Sequence, residues 1–118
     1  MVKLPVPLES EEGRTLVAYL RLKKYRFTHL ANETGSGKGA RFQGIRNKQQ
    51  GVSRGAPDYM IIIDGVLIFI ELKRLRGSST SIEQREWIAA LEAIGVPARI
   101  CKGAKASIEF IEEISNRG

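Results

Sequence analysis

The chain is poor in the residues that thiol chemistry and soft metals require. Its 118 residues include one cysteine, Cys101, and one histidine, His29. A single cysteine excludes an internal disulfide framework and a cysteine-rich zinc site. A single histidine excludes a histidine-rich site and leaves a Ser-His-Asp hydrolase only His29 to use. Long apolar runs are also missing. The longest, Met60–Ile63 and Val66–Ile70, are separated by Asp64-Gly65, well short of the ~20 residues a membrane-spanning helix needs. The opening Met1-Val2-Lys3-Leu4-Pro5 has no apolar segment of the kind that predicts a secretory signal. Acids are absent from one long stretch: none lies between Glu33 and Asp58.

What fills that acid-free stretch is basic residues and glycine. It carries Lys38, Arg41, Arg46, Lys48 and Arg54 among Gly35, Gly37, Gly39, Gly44, Gly51 and Gly55. The basic Gly-rich loop, residues 34–57, is long for a plain connector, and loops of that length tend to be functional or disordered. The whole chain has a formal charge of +6, compatible with a polyanionic partner. Hydrophobic content of 42% with 27% charged residues predicts a soluble globular chain, and the length predicts a single domain spanning 1–118.

The pattern of apolar residues predicts an α-β-β-β-α-β-α order. A first helix runs from about Glu9 to Lys24, with Leu16, Val17 and Leu20 as its stripe and Glu9, Glu11 and Glu12 suited to its N-terminal end. Tyr25–Ala31 is expected to be a short strand. Pro57–Ile63 and Val66–Lys73 are strands rich in Ile, Val, Phe and Tyr, and Asp64-Gly65 is the preferred two-residue hairpin turn. Leu75–Ser79 forms a second basic loop. A helix follows, capped by Ser81, with Ile88, Leu91 and Ile94 as its apolar face and Gly95 at its end. Val96–Cys101 is a fourth strand. Ser107–Ile114 is a closing helix with Ile108, Ile111 and Ile114 on one side.

The hairpin turn sets a register. With Ile63 facing Val66, counting outward brings Asp58 opposite Glu71 on one face, their Cβ atoms roughly 4.5–5.5 Å apart. Lys73, two residues on, shares that face. Two opposed carboxylates repel, and a divalent cation would offset that cost. Mg²⁺ takes oxygen ligands and one or two carboxylates, and the Leu72 carbonyl lies alongside. Lys73 would then orient a water or stabilise charge on a phosphate. The competing reading is a solvated hairpin end in which Lys73 pairs with an acid to little effect.

Further residues bear on that choice, each with a plainer explanation beside it. Gln84 precedes Ile88 by four and Leu91 by seven, so it sits on the apolar face of its helix and wants a polar partner. Alternatively it closes a capping box on Ser81. Arg54 approaches the acids in sequence and would hold a phosphate, or it belongs to a turn. Glu9 or Glu12 would add a third carboxylate, or both serve the helix dipole. His29 alternates with apolar residues and is expected to be a core histidine. Cys101 is expected to be an inert small hydrophobe, and Trp87 to pack at the helix–sheet edge. Gly35-Ser36-Gly37-Lys38-Gly39 lacks the spacing of a nucleotide-binding phosphate loop.

Pro57-Asp58 followed by Glu71-Leu72-Lys73 is the PD-(D/E)xK nuclease signature. It is embedded in Gly51-Val52-Ser53-Arg54-Gly55-Ala56-Pro57-Asp58, then Phe69-Ile70-Glu71-Leu72-Lys73-Arg74, then Ser81-x-x-Gln84-x-x-Trp87 and Leu91-x-x-x-Gly95. Phe27-Thr28-His29-Leu30-Ala31-Asn32 lies upstream. Across nearly its whole length the chain resembles the VRR-NUC family, the virus-type replication–repair nuclease domain. The resemblance implies an α/β, restriction-endonuclease-like core, a central mixed sheet flanked by helices, and Mg²⁺- or Mn²⁺-dependent hydrolysis of DNA phosphodiesters. It implies Asp58, Glu71 and the Leu72 carbonyl as metal ligands, Lys73 as the catalytic lysine and Gln84 as the active-site glutamine. The family also has a first-helix glutamate with a glutamine four residues later. Aligning on Leu16-Val17 and Tyr19 puts that glutamate at Glu9, with Gly13 in place of the glutamine; Glu12 is the alternative.

Chains this short look like the stand-alone phage and bacterial members, which resemble Holliday-junction resolvases acting as homodimers. The expectation is therefore a structure-selective endonuclease acting on branched DNA in the cytoplasm of a bacterial or phage-infected cell. Phosphates would be held by Lys38, Arg41, Arg46, Lys48, Arg54, Arg74 and Arg76. A sequence-specific restriction-type nuclease and a non-catalytic DNA-binding module on the same core are the alternatives.

Overall fold

A computed structural model describes residues 8–30, 51 and 53–117. The order is α1 (Glu9–Leu22), β1 (Arg26–His29), β2 (Tyr59–Ile63), β3 (Val66–Lys73), α2 (Ile82–Ala93), β4 (Ala98–Lys102) and α3 (Gly103–Ser115). This is the expected α-β-β-β-α-β-α sequence. The strands form one mixed sheet in the order β1-β2-β3-β4. β1–β2 and β2–β3 are antiparallel, and β3–β4 is parallel.

The hairpin register follows from its turn. Asp64 and Gly65 both have positive φ, 49° and 82°, the pair of conformations a type I′ turn demands. Ile63 consequently pairs with Val66, and Tyr59 with Ile70. Period-two alternation then turns Ile61, Ile63, Ile68, Ile70 and Leu72 to one face, where they meet Leu16 and Leu20 of α1 and Phe110, Ile111 and Ile114 of α3. Leu16, Leu20, Ile61 and Ile70 are wholly buried, each worth about 1.5–3 kcal/mol of transfer free energy. Glu71, between Ile70 and Leu72, projects from the opposite face, where α2 lies.

Element ends differ from expectation for physical reasons. α1 stops at Leu22 rather than Lys24 because Lys24 adopts a left-handed conformation, φ 61°. The Tyr25 amide returns to the Leu20 carbonyl and the Lys24 amide to Arg21, a Schellman-type closure without the usual glycine. β1 covers Arg26–His29 rather than Tyr25–Ala31, and Ala31 lies outside the described residues. β2 begins at Tyr59, two residues after Pro57. β4 begins at Ala98, after Pro97, and not at Val96, whose amide is used by the Leu91 carbonyl at the end of α2. α3 starts four residues before Ser107, because the Ala104 amide donates to the Glu12 carboxylate of α1. That cap comes from another helix and leaves no local signature.

α2 starts and stops as expected. Ser81 caps it through its hydroxyl, and Gly95 follows it with φ +83°. Its apolar face is thinner than expected, however. No residue of α2 is buried, and Ile94 is 74% exposed.

Candidate active site

Asp58 reaches its place through Gly55. There φ is +84°, and an added Cβ would fall 2.7 Å from the Glu83 carbonyl carbon and 2.8 Å from the Gln84 nitrogen. Only glycine lets the chain lie this close to the start of α2. Trp87 adds a second tie: its indole N–H donates to the Ser53 hydroxyl at 3.1 Å. The segment that delivers Asp58 is thus bound to the helix that delivers Gln84.

Asp58 stands just outside the ladder rather than as a regular partner of Glu71. It is nonetheless joined to β3, because its Oδ2 accepts the Leu72 amide at 3.0 Å. Its carbonyl accepts the Leu30 amide at 2.6 Å, fixing it to the end of β1 as well.

Glu71 is only 4% exposed. Its Oε2 accepts the Gln84 side-chain amide at 2.9 Å and lies 3.6 Å from Lys73 Nζ. Its Oε1 is buried and has no hydrogen-bond partner among the described residues. Burial foremost, and then the negative charge of Asp58, push the Glu71 carboxyl up to about 8. The Lys73 ammonium opposes that shift, and Glu9 adds to it. A buried acid with one unmet oxygen, beside a second acid, is an arrangement that a hard cation would satisfy.

Both readings of Gln84 hold at once. Its backbone amide donates to Ser81 Oγ at 3.1 Å, and its Oε1 accepts the Ser81 amide at 3.0 Å, completing the capping box. With the oxygen so used, the amide nitrogen is left to face Glu71. The cap therefore orients the group that holds the carboxylate.

The two first-helix acids divide their work. Glu12 caps α3. Glu9 lines a cleft with Asp58 and Leu72, and its charge bears on Glu71. Gly13 is buried against β2: an added Cβ would lie 2.9 Å from the Tyr59 hydroxyl. Tyr59 thus fills the space a side chain at 13 would take.

Among the described residues no three His, Cys, Asp or Glu side chains converge on one point. The acidic centre is the Asp58–Glu71 pair, and the Leu72 amide donates to Asp58 Oδ2. Arg54 and Arg76 are exposed and Arg74 is half-buried. Lys38, Arg41, Arg46 and Lys48 lie outside the described residues.

His29 is not a core histidine. It is exposed on β1, pairs with Tyr59 across the ladder, and stacks on the Tyr59 ring at 4.8 Å between centroids. The sequence reading missed it, along with Arg14 and Arg21, which line the same cleft as Asp58. The pairing of β1 with β2 would have revealed His29, but no short turn sets that register. Cys101 is as expected: buried, with its thiol pushed up to about 11 by that burial.

No protein-family model matches the sequence, and no curated protein does either. Among solved structures the chain is similar to a VRR_NUC domain protein, with a TM-score of 0.73 and 26% identity. The similarity covers 98% of this chain and 93% of that one.

Proposed function

From a chain that is a VRR-NUC domain of nuclease type, we propose a divalent-metal-dependent DNA endonuclease that selects branched structures such as four-way junctions. The observation that carries the metal requirement is Glu71: buried, raised in pKa, adjacent to Asp58, and with Oε1 unmet among the described residues. Asp58, Glu71 and the Leu72 carbonyl would hold Mg²⁺ or Mn²⁺, the remaining ligands being water, as Mg²⁺ favours. When bound, the ion polarises the phosphodiester and lowers the pKa of a coordinated water.

The chain's own groups do the rest. Gln84 holds Glu71 Oε2 in place. Lys73, its side chain 12% exposed, orients the attacking water and offsets charge developing on the phosphoryl oxygens. Water attacks phosphorus in line with the leaving oxygen, so one P–O bond forms as the strand's P–O bond breaks. Lys38, Arg41, Arg46, Lys48, Arg54, Arg74 and Arg76 hold phosphates without reading bases, which makes binding salt-sensitive and largely sequence-independent. A junction has two-fold symmetry, and a homodimer would present one site to each of two strands.

The test is cleavage of labelled four-way junctions, flaps and linear duplex with Mg²⁺, Mn²⁺ or EDTA, beside Asp58→Ala and Lys73→Ala. Junction cleavage that requires metal and disappears in both variants supports the reading. Tight binding that leaves all DNA intact overturns it in favour of a non-catalytic binding module.

A further inference from the structure

Beyond the acidic centre, a cleft of about 460 Å³ is lined by residues of α1, β1 and β2, together with Asp58. Arg14 and Arg21 stand on its α1 wall and His29 and Tyr59 on its sheet side. The two arginines are seven residues apart, hence on one face of α1 and about 10.5 Å apart along its axis. Both are exposed, and neither forms an ion pair among the described residues. Tyr59 is 6% exposed while His29 is exposed, so the stacked pair presents its imidazole to the solvent. The acid in this wall, Glu9, belongs to the Glu71 end, where its charge is felt.

We infer that this cleft binds an unpaired stretch of the cleaved DNA strand, its phosphates on Arg14 and Arg21 and a base stacked on His29. Guanidinium forks suit phosphate oxygens, and every nucleobase has a face that stacks on a ring. The volume accommodates a drug-sized ligand or about a nucleotide. Because Asp58 is itself a lining residue, the bound stretch flanks the bond to be cut. The inference rests on the proposed nuclease reading and concerns those branched substrates, such as flaps and forks, whose cut strand is unpaired beside the cleavage point.

Fluorescence polarisation in EDTA with single-stranded, forked and blunt duplex oligonucleotides tests it without relying on cleavage. Arg14→Ala combined with Arg21→Ala should weaken single-strand and fork binding by roughly tenfold or more and flatten its salt dependence. His29→Ala should weaken it by about tenfold, with His29→Phe restoring it, while blunt duplex binding stays level. All three side chains are exposed, and circular dichroism checks that the variants fold. Unchanged single-strand affinity in these variants, or equal losses on duplex and single strand, overturns the inference. A failed nuclease reading would show instead as these same binding losses in a protein that cuts nothing.

Discussion

On one face of the sheet, α1 and α3 bury Leu16, Leu20, Phe110 and Ile111 almost completely; on the other, α2 buries no residue and leaves Ile82 63% and Ile94 74% exposed. The first face is held by apolar packing. α2 is held chiefly by polar and backbone contacts: Gln84 to Glu71, Trp87 to Ser53, the Ala98 amide to Glu92, and Gly55 against its first turn. The packed face sets whether the domain folds. The thinly covered face sets where a carboxylate and its amide partner sit, and it can do so without adding much to global stability.

The largest effect that would break this division is at Asp58. Asp58→Asn keeps an oxygen for the Leu72 amide but removes a charge, so cleavage should fall by about a hundredfold to a thousandfold while the urea midpoint holds or rises. A collapse of the fold in this variant would show the site to be structural. Next is Leu20→Ala, expected to lower unfolding free energy by ~2–5 kcal/mol through the cavity it leaves, measured by urea denaturation.

Glu71 sharpens the comparison through pH. An unfolded glutamate titrates at 4.5 and this one at about 8. Between those values the native state carries a proton that the unfolded chain has released, so stability falls as pH rises from about 4.5 to about 8, then levels. In EDTA the parent should be less stable at pH 8 than at pH 5, by on the order of a few kcal/mol. Glu71→Gln should remove that part of the slope. An identical slope in parent and variant would contradict the assignment. The smallest effect is Ile94→Ala, expected to change stability by less than about 0.5 kcal/mol; a loss near that of Leu20→Ala would mean that this face is packed in solution.

How much of this was legible in the sequence follows from which interactions are local. The Asp64-Gly65 turn dictates its own register, so the approach of Asp58 and Lys73 to Glu71 follows by counting. The Ser81–Gln84 box is likewise a four-residue pattern. The roles of Glu9 and Glu12 were not legible, because Glu12 is used by an amide 92 residues away. The end of α1 was hidden because Lys24 takes a conformation that glycine usually signals. His29 was misassigned because alternation on an edge strand looks the same as alternation on a central one. Its ring is exposed through the position of β1 at the sheet edge, which is a property of the assembled sheet.

The close approach of Gly13 to the Tyr59 hydroxyl has an evolutionary consequence. The two positions share one volume, so a side chain at position 13 requires the tyrosine tip at position 59 to give way. Among chains of this fold, a side chain at the position of Gly13 should travel with loss of the hydroxyl at the position of Tyr59. A single replacement at 13 alone would push the tyrosine, and the histidine stacked upon it, out of place.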